Sequence, residues 1–127
     1  MGERYVPVMG DDELIARAIA LGAAVGEPIW HMPLPPELRG VLDSDVADIA
    51  NARPGNPNGG MLVAAHFLKY FVGANGEADD APQIPWMHLD IAGAANNAGA
   101  SHGGFGKGPT GVTVRTLIAL AEDFSRP

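Results

Sequence analysis

The sequence predicts an α/β fold in which helices cover both faces of a sheet. Its 127 residues fit one domain. Apolar residues recur at helical spacing from Asp11 to Val25, with Leu14, Ala18, Leu21 and Val25 on one stripe, and recur again before the C-terminus. Between these segments, Trp86–Gly93 (WMHLDIAG) alternates like a strand and is largely apolar on both faces. Such a strand is typical of the centre of a sheet that is covered on both sides.

The other elements are predicted in chain order from caps, prolines and apolar periodicity. Asp11, Asp12 and Glu13 place negative charge at the start of the first helix, which favours capping over metal binding, and Gly26 ends that helix. A short strand is predicted within Pro28–Leu34 and a short helix from Pro35 to Leu42. The remaining predictions are a loop at 44–60, an apolar helix at 61–72 that needs cover, a surface loop at 73–85, a small-residue loop at 94–111 and a final helix with Val114, Leu117, Ile118, Ala121 and Phe124 inward.

Charge and composition exclude several classes of function. Eight Lys and Arg against fifteen Asp and Glu give a net charge of −7, and the basic residues are scattered, so we expect neither nucleic acid nor an anionic membrane as a partner. The absence of cysteine excludes disulfides, thiolate zinc sites, iron–sulfur clusters and a cysteine nucleophile. No apolar run reaches the length of a membrane span, and the first residues are too polar for a secretory signal, which predicts a cytoplasmic location.

Two motifs suggest chemistry from residue types alone. Gly106, Gly108 and Gly111 match G-x-G-x-x-G, but no strand ends just before them and no acidic residue follows on a second strand, so nucleotide binding stays an alternative without its usual context. His88 and Asp90 share one strand face and could act as a base and its orienting carboxylate. No serine lies in a nucleophile elbow, which favours a buried, hydrogen-bonded structural pair.

The other histidines do not form a metal motif. His31 and His66 stand alone on apolar elements and are expected at the core or its rim, while His102 lies in a glycine loop. No two histidines are four residues apart, and HExxH is absent.

Four segments in order resemble the metal-dependent leucyl (cytosol) aminopeptidases. They are WHMPLPPELRGVLDSDVADIAN at 30–51, GGMLVAAHFLKYFV at 59–72, WMHLDIAG at 86–93 and KGPTGVTVRTLIALAEDF at 107–124. The resemblance implies that residues 1–127 form a single, incomplete domain. This domain would be the C-terminal portion of the catalytic domain, folded as a partial three-layer sandwich of a mixed sheet flanked by helices.

The resemblance also shows what the chain does not contain. In that family a lysine and several carboxylates, including those of an NTDAEGR motif, hold two divalent cations, manganese or zinc, which activate water and polarise the peptide carbonyl. The motif does not occur here, and Met1–Gly10 resemble the sequence just downstream of it. We therefore expect no catalytic and no metal-ligating residue on this chain, and no activity of the chain alone.

What the resemblance assigns to this chain is part of a substrate pocket. The family positions that line the pocket for the N-terminal side chain of a peptide match Ala92 and Ala95, whose small size leaves room for a leucine-type side chain. The alternative for both alanines is packing at the end of the strand, where alanine is also common. The family also implies a homo-oligomer, usually a hexamer. The alternative is a non-catalytic fragment that associates with full-length subunits.

Overall fold

The computed structural model describes residues 4–52, 55, 58–78 and 80–126. Within these residues, three α-helices and five strands are arranged in the order β1 (Val6–Gly10), α1 (Asp12–Ala24), β2 (Ile29–His31), α2 (Gly60–Lys69), β3 (Met87–Leu89), β4 (Asn96–Asn97), β5 (Gly108–Pro109) and α3 (Val114–Phe124). A 3₁₀ helix, Pro36–Leu42, lies between β2 and α2. The predicted α/β class is confirmed.

The main sheet is mixed, and its middle strand is one that the sequence analysis missed. Within the described residues the strand order is β2–β1–β3. β1 pairs in parallel with β2 and antiparallel with β3. Val6, Val8 and Met9 have no exposed surface. The prediction that Trp86–Gly93 is the central strand was therefore wrong for the described chain, because β1 takes that place and β3 lies at an edge.

Helix α1 follows the prediction closely. Asp11 is its N-cap and accepts a hydrogen bond of 2.9 Å from the backbone N–H of Leu14. The buried side of the helix carries Ile15, Ala18 and Gly22. Local capping chemistry therefore fixes where this helix begins, and the apolar stripe fixes which side packs on the sheet.

Helix α3 forms where predicted, but the expected inward face is turned outward. Val114, Leu117, Ile118 and Phe124 are 53%, 48%, 55% and 59% exposed, while Thr116 and Leu120 are buried. The reason is that α3 packs against α1 on its Thr116 and Leu120 side, where the first turn of the helix meets a buried carboxylate. The side of α3 that contacts the described chain is thus not its most apolar side.

Helix α2 and the predicted loop at 94–111 differ from expectation in detail. Helix α2 ends at Lys69, three residues before the predicted end, and Tyr70 and Phe71 after it are exposed. The helix is thus less covered than its composition predicts. The predicted loop at 94–111 contains the short β4–β5 hairpin. In the predicted loops at 44–60 and 73–85, residues 53–54, 56–57 and 79 lie outside the described part, as do Met1–Glu3 in the segment that resembles sequence downstream of the metal motif.

Candidate functional site

The turn that follows β3 carries both predicted pocket residues. It begins at Asp90, whose backbone N–H donates to the carbonyl of Pro7 at 3.0 Å and so ties the turn to β1. The Asp90 carboxylate accepts a hydrogen bond of 3.0 Å from the N–H of Ala92. The N–H groups of Ala94 and Ala95 donate to the carbonyl of Ile91 at 3.0 and 2.8 Å. The chain thus forms a compact turn with an aspartate at its first position, as such turns favour.

The three alanines of this turn have different environments. Ala94 is 2% exposed and packs in a small core cluster with Val6 and Val112. Ala92 is exposed, and Ala95 is half-buried. Their methyl groups are the smallest side chains that a pocket wall can present.

Thr110 returns to the same turn from the far end of the glycine-rich loop. Its hydroxyl donates to the carbonyl of Ala94 at 2.6 Å, and its N–H donates to the carbonyl of Ala95 at 3.0 Å. The hydroxyl oxygen also accepts a hydrogen bond of 3.3 Å from the N–H of Val112. One residue therefore joins the turn to the segment that leads into α3.

Asn97 closes the glycine-rich loop from inside. Its side chain is 1% exposed. The amide donates to the carbonyls of Ala100 and Gly106 at 3.0 and 3.1 Å, and its oxygen accepts a hydrogen bond of 3.0 Å from Gly99. The sequence analysis did not identify Asn97 or Thr110, although an Asx signal at 97–99 was readable from residue types.

His88 lies in β3 and Asp90 lies just after this strand, but the described structure does not join them as a base and its carboxylate. His88 Nε2 is buried and has no hydrogen-bond partner within the described residues, while Asp90 bonds the backbone of Ala92. Burial lowers the pKa of His88, and the charge of Asp90 opposes that shift only in part. The His88 ring also stacks with Trp86 at a centroid distance of 6.3 Å. His88 and Asp90 are both half-buried rather than buried, and the hydrogen bond expected within a structural pair is not formed between them.

The remaining histidines are separate from one another. His66 is buried and its Nε2 lies 2.8 Å from the carbonyl of Pro35, which ties α2 to the 3₁₀ helix. His31 Nε2 lies 3.5 Å from a carboxylate oxygen of Asp12 at the surface. His102 pairs with Phe105 through backbone hydrogen bonds in the glycine-rich loop.

A buried carboxylate that the sequence analysis missed caps α3. Glu27 is 1% exposed and accepts hydrogen bonds from the N–H and hydroxyl of Thr116 at 2.8 and 2.7 Å, and from Nε of Arg115 at 3.3 Å. Burial alone raises the pKa of Glu27, but the hydrogen bonds from Thr116 and Arg115 and the charge of Arg115 outweigh it and lower the pKa below its usual value.

The buried Glu27 carboxylate also bears on the alternative of nucleotide binding at the G-x-G-x-x-G segment. A phosphate at the G-x-G-x-x-G segment would use the N–H groups at the start of the helix that follows, which is α3. One of these groups, the N–H of Thr116, already donates to the buried Glu27 carboxylate. A second anion at the same place would be repelled, so the structure does not favour phosphate binding there.

The surface also contains a polar cavity of about 330 Å³, which is lined by Gly10, Asp11, Asp12, Lys69, Gln83, Ile84, Pro85 and Trp86. Neither Ala92 nor Ala95 belongs to its lining. Among the described residues, no group of three or more His, Cys, Asp or Glu side chains is placed to hold a metal ion, so the donor set does not fit a metal centre. Over the same part of the chain, no helix has the length and apolar character needed to cross a membrane.

Comparison with known proteins identifies the family. The model of the cytosol aminopeptidase family, catalytic domain, matches residues 1–118, and the chain belongs to this family. A probable cytosol aminopeptidase of Clavibacter michiganensis subsp. michiganensis is 62% identical over 126 residues, which are 99% of this chain and 25% of that protein. A probable cytosol aminopeptidase of Leifsonia xyli subsp. xyli is 58% identical over 125 residues, 98% of this chain and 25% of that protein.

A solved structure agrees with the same assignment. The bottromycin maturation enzyme BotP, at 34% sequence identity, superposes with a TM-score of 0.85 over 98% of this chain and 26% of its own. BotP has also been solved in complex with Mn, with a TM-score of 0.84. The resemblance read from the four sequence segments is thus confirmed, and the chain spans about a quarter of the length of these relatives.

Proposed function

We propose that residues 1–127 form the C-terminal portion, a single incomplete domain, of the catalytic domain of a metal-dependent cytosol aminopeptidase. The complete enzyme would hydrolyse leucine-type N-terminal amino acids from peptides. The observation that carries this proposal is the match of residues 1–118 to the catalytic domain of the family. The agreement with BotP over 98% of this chain supports it.

In this proposal the upstream part of the enzyme holds the metal ions, and this chain contributes to substrate binding. The upstream part would hold the two divalent cations, manganese or zinc, which activate water and polarise the carbonyl. The solved complex of BotP with Mn supports a divalent cation in the complete enzyme. Because the described residues offer no cluster of metal-binding side chains, this chain would be catalytically silent alone and would contribute to substrate binding.

Ala92 and Ala95 would form part of the wall that accepts the N-terminal side chain of the peptide. The support is that Ala92 is exposed and Ala95 half-buried on a turn that is hydrogen-bonded at both ends. A methyl-lined wall provides apolar contact without filling the space that a leucine side chain needs. The partner bound at this wall would thus be the N-terminus of a peptide substrate. We also propose that the complete enzyme is a cytoplasmic homo-oligomer, a hexamer as in the family.

The test is reconstitution with a leucine anilide and added Mn²⁺ or Zn²⁺. We expect no turnover by the 127-residue chain, and turnover when the chain is joined to, or mixed with, the upstream part. Ala92→Phe should reduce turnover of leucine anilide more than that of alanine anilide, since the larger ring fills the pocket. Ala20→Phe, on the exposed side of α1, is the matched control and should preserve both rates. Robust turnover by the isolated chain would contradict the proposal.

A second candidate function is a non-catalytic fragment that associates with full-length subunits. The observation that favours it is the outward apolar face of α3, with Leu117, Ile118 and Phe124 about half exposed or more. A contiguous exposed apolar surface of this kind is typical of a surface that another protein covers. This candidate requires that the chain associates with itself or with full-length subunits.

A further inference from the structure

We propose that Asp90 and Thr110 are positioning residues that fix the turn between them and thereby set which substrate side chains the aminopeptidase accepts. The selectivity part of this inference rests on the proposed function, because the turn carries Ala92 and Ala95. The structural part rests on hydrogen bonds alone and can be tested separately.

Asp90 holds the beginning of the turn. Its backbone is fixed to β1 through Pro7, and its carboxylate accepts the N–H of Ala92 at 3.0 Å. The side chain of Asp90 therefore helps to fix the position of Ala92 relative to the sheet. The residue that sequence reasoning offered as the partner of a histidine base instead shapes the backbone.

Thr110 holds the end of the turn. Its hydroxyl and its N–H bond two successive carbonyls, those of Ala94 and Ala95, at 2.6 and 3.0 Å. Ala94 is almost fully buried, so its carbonyl would lose a hydrogen bond in a poorly hydrated place if the hydroxyl were removed. The position of Ala95 thus depends on a residue that is fifteen positions later in the chain.

The exposed middle of the turn has few side-chain contacts that could restrain it. Ile91, Ala92 and Gly93 are exposed, and two of these three residues have minimal side chains. Packing of side chains therefore contributes little at Ala92, whereas Ala94 is anchored in the core cluster with Val6 and Val112. The hydrogen bonds of Asp90 and Thr110 act together with this anchor and with the bonds from the Ala94 and Ala95 amides to the Ile91 carbonyl. A change at either end should therefore alter the spacing of Ala92 and Ala95.

Matched variants separate positioning from general stability. Thr110→Val retains the shape and the N–H but removes the hydroxyl, and Thr110→Ser retains the hydroxyl. Asp90→Ala removes the acceptor of the Ala92 N–H, and Asp90→Asn retains it. Thr116→Val is the destabilising control, because it removes the equivalent hydroxyl from a threonine that bonds Glu27 rather than the turn.

The first measurement is amide hydrogen exchange of the 127-residue chain by NMR. Thr110→Val should accelerate exchange of the Ala94 and Ala95 amides by roughly tenfold relative to the amides of β1, as expected for loss of one hydrogen bond of ordinary strength. Thr110→Ser should restore the slow rates. Thr116→Val should change the exchange rates of the turn amides and of the β1 amides by the same factor. Unchanged rates at Ala94 and Ala95 in Thr110→Val would overturn the positioning role.

The second measurement uses the enzyme assembled with its upstream part. In Thr110→Val and Asp90→Ala, the ratio of kcat/KM for leucine anilide to that for alanine anilide should shift by about threefold or more, as a change of pocket width allows. Thr110→Ser and Asp90→Asn should restore it, and Thr116→Val should leave it unchanged. An equal shift in Thr116→Val, or none in Thr110→Val, would overturn the selectivity role. A wild-type assembly inactive on both anilides would overturn the proposed function and the selectivity role with it, whereas the exchange rates decide the positioning role independently.

Discussion

Glu27 joins the turn between α1 and β2 to the first turn of α3. Replacement by alanine would leave the N–H and hydroxyl of Thr116 without their acceptor in a buried place and would leave Arg115 without its charge partner. We expect Glu27→Ala to lower the free energy of unfolding by about 2 to 3 kcal/mol, the range for hydrogen bonds to a buried charged group. Urea unfolding followed by circular dichroism measures this loss, and Glu122→Gln, an exposed carboxylate on α3, is the control.

The same residue makes stability depend on pH. Because the pKa of Glu27 is lower in the folded chain than its ordinary value of 4.5, the unfolded chain binds more protons between the two pKa values. The stabilisation by Glu27 is therefore complete above pH 4.5 and is lost as the pH falls through the folded pKa. Glu27→Gln should flatten the acid limb of the urea midpoint against pH. An acid limb identical to that of the wild type would contradict the lowered pKa.

Individual residues differ in how far the sequence could reveal them. Asp11 was predictable as a cap because its partner, Leu14, lies three positions away. Glu27 and Thr116 are 89 positions apart, and nothing in either neighbourhood signals the other. The turn residue Asp90 was noticed for the wrong partner, since alternation places it on the face of His88 but cannot show that its carboxylate bonds the next backbone N–H.

At the scale of elements, the packing of α1 against β2 depends on Gly22. An alanine methyl group there would lie 2.8 Å from the backbone oxygen of Glu27 and 2.9 Å from Cδ1 of Ile29. Alanine would favour the helix by about 1 kcal/mol over glycine. A contact with backbone at this distance, however, requires the turn between α1 and β2 to move. We therefore expect Gly22→Ala to destabilise the chain by about 1 kcal/mol or more.

The control for this prediction is Gly60→Ala at the start of α2. A methyl group there meets no atom within 4 Å, so its midpoint of thermal unfolding should be unchanged or slightly higher. The comparison separates crowding from helix propensity, because both substitutions are the same change in a helix. A Gly22→Ala chain as stable as the wild type would show that α1 and β2 adjust without cost.

Whole elements were predicted where the signal is local and missed where it is not. Helix α1 follows from its cap and its apolar periodicity, and helix α3 follows from apolar periodicity. Strand β1 was missed because Val6–Gly10 is a short apolar run with a proline beside acidic residues, and only its pairing with β2 and β3 makes it central. Periodicity identified the apolar face of α3 but could not tell whether the described chain would cover that face.

For the whole molecule, the outward face of α3 predicts association. Val114, Leu117, Ile118 and Phe124 form a stripe along one side of the helix, and each is about half exposed or more. Removing this apolar surface from water is favourable at about 25 cal/mol per Å², so the isolated chain should form dimers or larger species as its concentration rises. Size-exclusion chromatography with light scattering at several concentrations measures this.

Substitution of the stripe tests whether α3 is the surface responsible. Leu117→Gln combined with Ile118→Gln should shift the chain toward the monomer and should preserve its helical circular dichroism, because neither side chain is buried. Ala20→Gln on the exposed side of α1 is the matched control and should associate like the wild type. If the wild-type chain is monomeric at every concentration and does not bind a full-length aminopeptidase, the association candidate fails. The proposed upstream part of the catalytic domain would then be the candidate that covers the apolar face of α3.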